Sequence, residues 1–149
     1  LKDRYGSAGR GVERFTRDKR GLQQGLDHLR KYGNEVVAQE YLDEIAEGDI
    51  RVIAMDREIV GALRRKSSKG AWKTNIMGGG YMEAFTLTPF LEERARHAIE
   101  AFSDVRFQGL DLTVRTGTFI ETNAFPCLLG SLNSLYGGQH EDKVLKYIF

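Results

Sequence analysis

Two carboxylates and an amide near the end of the sequence have the types and the spacing to bind a divalent cation: Asp111, Glu121 and Asn123. Residues 115–117 (Arg-Thr-Gly) are typical of a three-residue hairpin loop with glycine in the left-handed region. Counting back from that loop puts Asp111 opposite Glu121, with Asn123 further along the same face. Like charges this close destabilise a strand pair unless a cation intervenes, and Mg²⁺ prefers such oxygens. The pattern therefore predicts a metal site on this hairpin.

Two alternatives to the metal site stay open on the sequence alone. The carboxylates of Asp111 and Glu121 could face solvent on an exposed sheet, where they would repel each other weakly. A two-residue turn would instead put Asp111 on the other face of the hairpin, because side chains alternate along a strand.

A glycine-rich segment close to the first residue is a second candidate site. Backbone N–H groups in such segments can cradle phosphate oxygens, and a nearby lysine adds positive charge. The segment GSAGRG matches neither the Walker pattern nor GxGxxG, so an ordinary surface loop is the alternative. The candidate phosphate-binding residues here are Lys2, Gly6, Ser7, Gly9 and Gly11.

Charged residues in the middle of the chain form a third group. Asp49 and Arg51 share one face of a predicted strand because they are two residues apart, and Arg65 lies on the strand that follows. A polar run at 73–75 (Lys-Thr-Asn) comes soon afterwards. Each of these features alone is typical of an ordinary sheet surface.

The hydrophobic pattern predicts the elements that must position these groups. Helices are predicted at 18–32, through Leu22, Leu26 and Leu29, and from Thr88 onwards, where a hydroxyl cap precedes a proline. The predicted strands are 35–41, 49–55, 58–65, 106–114 and 118–123, with loops at 42–48 and 66–70 and a short helix at 143–149. This order is typical of a mixed α+β protein with a helix-and-strand lobe before about residue 42 and a strand-rich lobe after it.

Composition narrows the class of protein. The chain has 149 residues, 22 Lys+Arg against 21 Asp+Glu, and 41% hydrophobic residues, which is enough for a hydrophobic core. A formal net charge of +1 gives no long-range attraction to nucleic acid or to anionic lipid. No apolar run approaches the length of a membrane helix, and the lone Cys127 cannot form an internal disulfide. We therefore expect a cytoplasmic protein with neither a nucleic-acid nor a membrane partner.

Seven sequence segments occur in an order that resembles the ATP-grasp ligases, specifically the RimK-like branch that attaches glutamate to ribosomal protein. The segments are Lys2 with GSAGRGV at 6–12, VVAQEYLDE at 36–44, GDIRVIAM at 48–55, RRKSSKGAWKTN at 64–75, GGG at 78–80, GLDL at 109–112 and FIETNAFP at 119–126. The resemblance implies the ATP-grasp fold, in which two α+β lobes hold a nucleotide between them. The small lobe would be 1–42 and the larger lobe 43–149.

The same resemblance implies a role for each candidate residue, with ATP and two Mg²⁺ or Mn²⁺ ions as cofactors. The implied ATP-binding residues are Lys2, Gly6, Ser7, Gly9 and Gly11 at the phosphates, Glu40 and Tyr41 at the adenine, Asp49 at the ribose, and Lys73 and Thr74. The implied catalytic residues are Arg51 and Arg65, near the γ-phosphate or the acyl-phosphate, and Asn75, which completes the nucleotide-contacting triplet. The implied metal ligands are Asp111, Glu121 and Asn123.

The activity implied by the resemblance is activation of a carboxylate by ATP to an acyl-phosphate, followed by attack of an amino acid such as glutamate. One candidate substrate is a protein or peptide carboxyl terminus, and one candidate assembly is a homo-oligomer. Such ligases carry an N-terminal domain before the lysine, so we expect this chain to be a portion of a longer ligase. The alternative is a non-catalytic nucleotide-binding or interaction module, suggested by Asp3 where relatives usually have proline and by Gly78 where they often have arginine.

Overall fold

The computed structural model describes residues 1–4, 11–32, 35–68, 73–74, 76, 79–124, 126 and 129–138 of the chain. The chain divides into two compact units, Leu1–Asp43 and Glu44–Phe149. Several predictions fall outside the described residues. These are the glycine-rich residues Gly6, Ser7 and Gly9, the catalytic candidate Asn75, and the helix at 143–149.

The described part of the first unit contains a small antiparallel sheet and one α-helix, α1 (Lys19–Tyr32). Strand β1 (Lys2–Asp3) pairs with β2 (Val36–Val37), and Lys2 also bridges to Val12. The strand predicted at 35–41 is therefore shorter than expected, because β1 offers only two residues for β2 to pair with.

Helix α1 buries a different stripe from the one that its leucines predict. Leu22 and Leu26 are 65% and 40% exposed, whereas Gly21 and Gly25 are buried. The physical reason is close approach of backbones, because a Cβ atom at Gly21 would lie 1.9 Å from the backbone oxygen of Thr16. Glycine lets the preceding segment lie directly against the helix. The buried stripe therefore follows the glycines and leaves Leu22 and Leu26 outside, while Leu29 is half-buried.

Alanine substitutions at these two glycines are expected to change the free energy of unfolding in opposite directions. Gly25→Ala should raise it by about 0.5–1 kcal/mol, because alanine loses less backbone entropy in a helix. The added Cβ atom would meet Leu1 Cδ1 at an ordinary 3.5 Å. Gly21→Ala should lower it by roughly 1–3 kcal/mol, since its Cβ would overlap Thr16. Urea unfolding of the two single variants checks this expectation, and effects of the same sign would contradict it.

In the described part of the second unit, five antiparallel strands form one sheet in the order β5-β4-β3-β6-β7. The strands are β3 (Asp49–Met55), β4 (Glu58–Lys66), β5 (Tyr81–Ala84), β6 (Phe107–Thr113) and β7 (Phe119–Asn123), and the helices are α2 (Pro89–Ala101) and α3 (Leu129–Leu135). Helices and antiparallel strands thus coexist, as the predicted α+β class requires. None of the helices in the described ranges has the length and apolar character that crossing a bilayer requires.

Two local predictions from the sequence are confirmed. Thr88 caps α2, because its hydroxyl oxygen accepts a hydrogen bond from the backbone N–H of Leu91 at 3.3 Å, and Pro89 begins the helix. Asp56 and Arg57 form the turn between β3 and β4, with positive φ angles of 46° and 72°. Two consecutive positive φ angles are typical of a type I′ turn, so the predicted hairpin forms without glycine.

A short 3₁₀ helix (Asp43–Glu47) replaces the loop predicted at 42–48. Its residue Glu44 is buried, although the segment is acidic. Gly48 follows at φ +102°, a conformation that other residues rarely adopt. The prediction is wrong here because a contact with a distant part of the chain stabilises the turn, and the periodicity of a short polar segment does not report such contacts.

The two faces of the sheet differ in chemistry. One face packs against α2 through an apolar cluster that includes Ile50 and Leu110. On the other face, an apolar half that includes Ile53 and Leu63 packs against Leu132 of α3. The rest of this second face is polar, and we call it the polar half-face. Its members are Asp49, Arg51, Arg65, Asp111, Glu121 and Asn123.

Candidate functional site

The hairpin of β6 and β7 brings the three candidate metal ligands onto one face. Asp111 lies directly opposite Glu121, and Asn123 lies opposite Gly109. Because side chains two residues apart along a strand share a face, Asn123 is on the same side as Glu121. The predicted register of this hairpin is confirmed.

The turn reaches that register by a different route from the predicted one. The backbone N–H of Thr113 donates to the carbonyl of Thr118 at 3.0 Å, so the loop covers 114–117, one residue more than predicted. Gly117 has φ +60°, as expected for the left-handed position. The longer loop alone would shift the pairing by one residue. A β-bulge next to Asp111 compensates for the shift, because it inserts one extra residue into one strand.

Two arginines join the aspartates of the polar half-face into one ion network. Arg51 opposes Asp111 across β3 and β6, and Arg65 opposes Asp49 across β4 and β3. Both pairs are bidentate, because Nε and Nη2 of each arginine donate to the two carboxylate oxygens of its partner. Arg65 Nη2 also lies 2.8 Å from Asp111 Oδ2. The network therefore runs Asp49–Arg65–Asp111–Arg51.

The charged groups of this network lie away from water, so each of them needs a partner of opposite charge. Its four side chains belong to residues that are between 2% and 7% exposed. Burial raises the pKa of Asp111, and the positive charges of Arg65 and Arg51 oppose that shift. Burial also disfavours the charged form of Arg65, but Asp111 and Asp49 outweigh it and raise the pKa of this arginine. Removing one partner would leave an uncompensated charge away from water, which is strongly destabilising.

A glycine on β6 makes room for one of these arginines. A Cβ atom at Gly109 would lie 3.1 Å from Arg51 Nη1 and 2.5 Å from Pro126 Cβ. The guanidinium group and the proline ring therefore occupy space above the strand that any other residue would fill. Gly109 belongs to the GLDL segment, which also contains the candidate metal ligand Asp111. The segment therefore combines a position that must lack a side chain with a candidate ligand two residues later.

The donor chemistry of the hairpin fits a hard divalent cation. Asp111, Glu121 and Asn123 offer carboxylate and amide oxygens on one face, and Asn123 Nδ2 donates to Glu121 Oε1 at 3.4 Å. Among the described residues, no group of three or more His, Cys, Asp or Glu is placed to share an ion. The candidate set is thus two carboxylates and one amide. Mg²⁺ suits such a set, because it is commonly held by one or two carboxylates and keeps positions for water or phosphate.

Glu44 supports the hairpin, although no pattern in the sequence selects it. Its carboxylate accepts the backbone N–H groups of Arg115 and Thr116 in the β6–β7 turn, both at 3.2 Å. Burial would raise the pKa of Glu44, but hydrogen bonds from Thr116, Thr113 and the turn backbone hold it below its usual range. The 3₁₀ helix therefore fixes the turn of the strand pair that carries the candidate metal ligands. Only its place at the end of the segment 36–44 marks Glu44 in the sequence.

Replacing Glu44 by glutamine is expected to lower the free energy of unfolding by about 2 kcal/mol near neutral pH, because an amide N–H would meet the N–H groups of the turn. A carboxylate whose pKa is lower in the folded protein stabilises the fold above its unfolded pKa. That stabilisation is lost as the pH falls through the folded pKa. The difference between wild type and Glu44→Gln should therefore shrink below about pH 4.

Urea titrations at neutral and acidic pH measure this difference. The control is Glu47→Gln in the same 3₁₀ helix. The carboxylate of Glu47 is exposed, and its Oε1 lies 2.9 Å from Arg115 Nε. Exposed pairs contribute little, so this control should stay close to wild type. A loss in Glu44→Gln that is the same at both pH values would contradict the assignment.

The residues predicted to line an adenine pocket make local contacts in the first unit. Glu40 accepts a hydrogen bond from Arg17 Nη2 at 3.0 Å on the surface. The guanidinium carbon of Arg14 lies 4.6 Å from the centre of the Tyr41 ring. These contacts neither require nor prevent nucleotide binding, so the adenine assignment stays a prediction.

The other predicted nucleotide contacts are divided between the two units. Lys2 lies in β1, and Gly11 has φ +70°, in the first unit. In the second unit, Thr74 is buried and Lys73 is half-buried. Their roles toward a nucleotide also stay predictions.

Similar proteins are found both by sequence and by structure. A RimK-like ATP-grasp domain matches residues 1–148. A glutathione synthetase from Agrobacterium fabrum is 33% identical over 115 residues, which cover 75% of this chain and 36% of that protein. A probable alpha-L-glutamate ligase from Aeromonas salmonicida is 30% identical over 122 residues, which cover 77% of this chain and 39% of that protein. The chain thus spans less than half the length of these curated relatives.

The fold has a counterpart among solved structures. D-alanine–D-alanine ligase from Bacillus anthracis superimposes with a TM-score of 0.67 and 20% identity, covering 99% of this chain and 51% of that chain. The predicted ATP-grasp fold is confirmed by this likeness. Because the domain match extends over nearly all of its residues, the chain belongs to the RimK-like ATP-grasp family.

Proposed function

We propose that the protein carrying this chain is an ATP- and Mg²⁺-dependent ligase that joins a carboxylate to an amine through an acyl-phosphate. The polar half-face carries the proposal, because two buried arginines lie on the same face as three carboxylates and an amide. That combination suits a polyanionic substrate and its metal ion. Relatives named glutathione synthetase and probable alpha-L-glutamate ligase support an amino acid as the amine.

In the first proposed step, a carboxylate oxygen of the substrate bonds to the γ-phosphorus of ATP, and the bond to the β,γ-bridging oxygen breaks to release ADP. Arg51 and Arg65 would hold the transferred phosphoryl group, and Lys2 with the backbone of 6–11 would hold the remaining phosphates. Groups fixed before the reaction stabilise such charge without reorganisation. Asp111, Glu121 and Asn123 would hold the divalent ion, which supplies neutralising charge at the phosphate oxygens when bound.

In the second proposed step, the amine attacks the carbonyl carbon of the acyl-phosphate. A C–N bond forms, the bond between the carbonyl carbon and the phosphate oxygen breaks, and the amine loses a proton as inorganic phosphate leaves. This chemistry requires no covalent intermediate on the protein. It therefore agrees with a site built from Arg, Asp, Glu and Asn side chains.

Two roles are proposed for Asp49. It would contact the ribose, and it positions Arg65 because the pair is bidentate. The residues proposed to contact the nucleotide are Glu40, Tyr41, Asp49, Lys73, Thr74 and Asn75.

Release of ADP from MgATP by the full-length protein tests the proposal. The panel contains free amino acids and short peptides that end in glutamate. We expect substrate-dependent ADP release by wild type, and a rate at least about 100-fold lower in Glu121→Ala. Glu58→Ala, which removes an exposed carboxylate at the start of β4, should match wild type. Equal inactivity of wild type and Glu121→Ala throughout the panel would contradict the proposal.

A second candidate function is that of a non-catalytic nucleotide-binding or protein-interaction module. It is favoured by Asp3, a carboxylate that follows directly after the proposed phosphate-binding Lys2. Trp72 precedes the proposed nucleotide contact Lys73, so its fluorescence should change when MgATP is added. A fluorescence change without ADP release in any member of the panel would favour this second function over the ligase.

A further inference from the structure

The carboxylate of Asp111 is already surrounded by positive charge in the structure. Its Oδ1 accepts from Arg51 Nε, and its Oδ2 accepts from Arg51 Nη2 and lies near Arg65 Nη2, both at 2.8 Å. Two carboxylate oxygens have about four lone-pair positions between them. The guanidinium groups therefore use three of the positions through which this side chain could coordinate a metal ion.

A metal ion and these arginines compete for the same oxygen atoms. A dication bonded to Asp111 would lie next to two guanidinium groups in a buried site, where like charges are weakly screened. Release of Arg65 alone would free one position on Oδ2, whereas Arg51 would still contact both oxygens beside the ion. A displaced guanidinium group needs a new anion, because a buried unpaired charge is costly.

The two arginines differ in the carboxylates that they would still contact after leaving Asp111. Arg65 also donates to both oxygens of Asp49, so it keeps a complete bidentate partner if it leaves Asp111. Among the described residues, Asp111 is the carboxylate that contacts Arg51. Within the described part of the chain, Arg51 is therefore the arginine that has no second carboxylate to contact when it leaves Asp111, and a phosphate group could take that place.

We propose that Arg51 is an internal counter-cation of Asp111 that makes metal binding depend on a phosphate group. It weakens binding of a divalent ion alone, and it transfers from Asp111 to a phosphate of the nucleotide when both ligands bind. This inference rests on the proposed function, because it takes Asp111 as a metal ligand. It adds that the same arginine opposes the metal ion and favours the nucleotide.

The test is whether Arg51→Met, in the full-length protein, changes the affinity for a metal ion alone and the affinity for a metal–nucleotide complex in opposite directions. Mn²⁺ binding without nucleotide is measured from the electron paramagnetic resonance of unbound Mn²⁺, and Mg²⁺·AMP-PNP binding by calorimetry. We expect Arg51→Met to bind Mn²⁺ alone about tenfold more tightly than wild type and Mg²⁺·AMP-PNP about tenfold more weakly. A purely structural role of Arg51 would weaken both.

Arg64→Met is the matched control, because Arg64 precedes Arg65 on β4 and its guanidinium group donates to the backbone oxygen of Glu47. Both affinities should stay at the wild-type value in this control. If Arg51→Met does not fold, Arg51→Lys is measured instead. Lysine cannot replace the bidentate contact, so a smaller change of the same two signs is expected.

Mn²⁺ affinity in the folded Arg51 variant that equals or falls below the wild-type value would overturn the inference. The proposed function fails in a different way. In that case wild type takes up no Mn²⁺ even with AMP-PNP present, which overturns both the metal site and the inference that rests on it.

Discussion

Asp111→Asn is expected to lower ATP-dependent turnover by at least about 100-fold, the scale seen when one fixed electrostatic contact is removed from an active site. Asparagine has nearly the same shape as aspartate but lacks its charge. It can neither neutralise a metal ion as aspartate does nor balance Arg51 and Arg65. Because those arginines are buried, the substitution should also lower the free energy of unfolding by about 3–5 kcal/mol. ADP release by the full-length protein should be measured at a temperature at which the variant remains folded.

Asp56→Asn is the matched control for that substitution. Asp56 is likewise bidentate with an arginine, with its carboxylate oxygens 2.6 Å and 2.7 Å from Nε and Nη2 of Arg106, but the pair lies at the β3–β4 turn. Asparagine tolerates the positive φ of this position. The control should keep wild-type turnover. Equal turnover of Asp111→Asn and wild type would contradict the role assigned to Asp111.

Gly109→Ala is expected to lower both the stability and the nucleotide affinity of the protein. Its Cβ atom would lie 2.5 Å from Pro126 Cβ and 3.2 Å from Arg51 Cδ, so Pro126 or Arg51 must move. Overpacking of this kind costs roughly 1–3 kcal/mol. Displacement of Arg51 should also weaken its contact with Asp111 and raise the KM for ATP.

Leu110→Ala separates these two effects. Leu110 is the next residue of β6, but its side chain is fully buried on the opposite face, in the cluster that packs against α2. Truncation should cost about 2–5 kcal/mol of stability, at least as much as Gly109→Ala. It should leave the KM for ATP of the folded protein unchanged. A KM that rises equally in both variants would show that loss of stability, and not the position of Arg51, is the cause.

The local signals in the sequence were enough to predict most of the elements. The hydroxyl and proline before α2 and the β-rich composition of β3 and β4 report short-range preferences, which the fold retains. The stripe on α1 could not be predicted in the same way. Its leucines have helical spacing, but the close approach of Thr16 to Gly21 decides which side is buried. Such an approach depends on how the chain folds back, and hydrophobic periodicity carries no information about it.

The candidate site was predictable in its residue types and only partly in its contacts. The register that pairs Asp111 with Glu121 follows from the loop and from side-chain alternation, although a longer loop and a β-bulge produce it together. The bidentate pairing of Arg51 with Asp111 could not be predicted without knowing the order of the strands in the sheet. β3 lies between β4 and β6, so residues far apart in sequence become direct neighbours. The same is true of Glu44, whose partners lie in the β6–β7 turn.

The position of Mn²⁺ in a crystal of the full-length protein with AMP-PNP is the most direct test of the polar half-face as a metal and phosphate site. Anomalous scattering identifies the ion without assumptions about activity. We predict a manganese peak bonded to carboxylate oxygens of Asp111 and Glu121, with the guanidinium group of Arg51 on a phosphate of the nucleotide. A nucleotide-bound crystal with manganese elsewhere, or with Arg51 still bidentate on Asp111, would contradict the account.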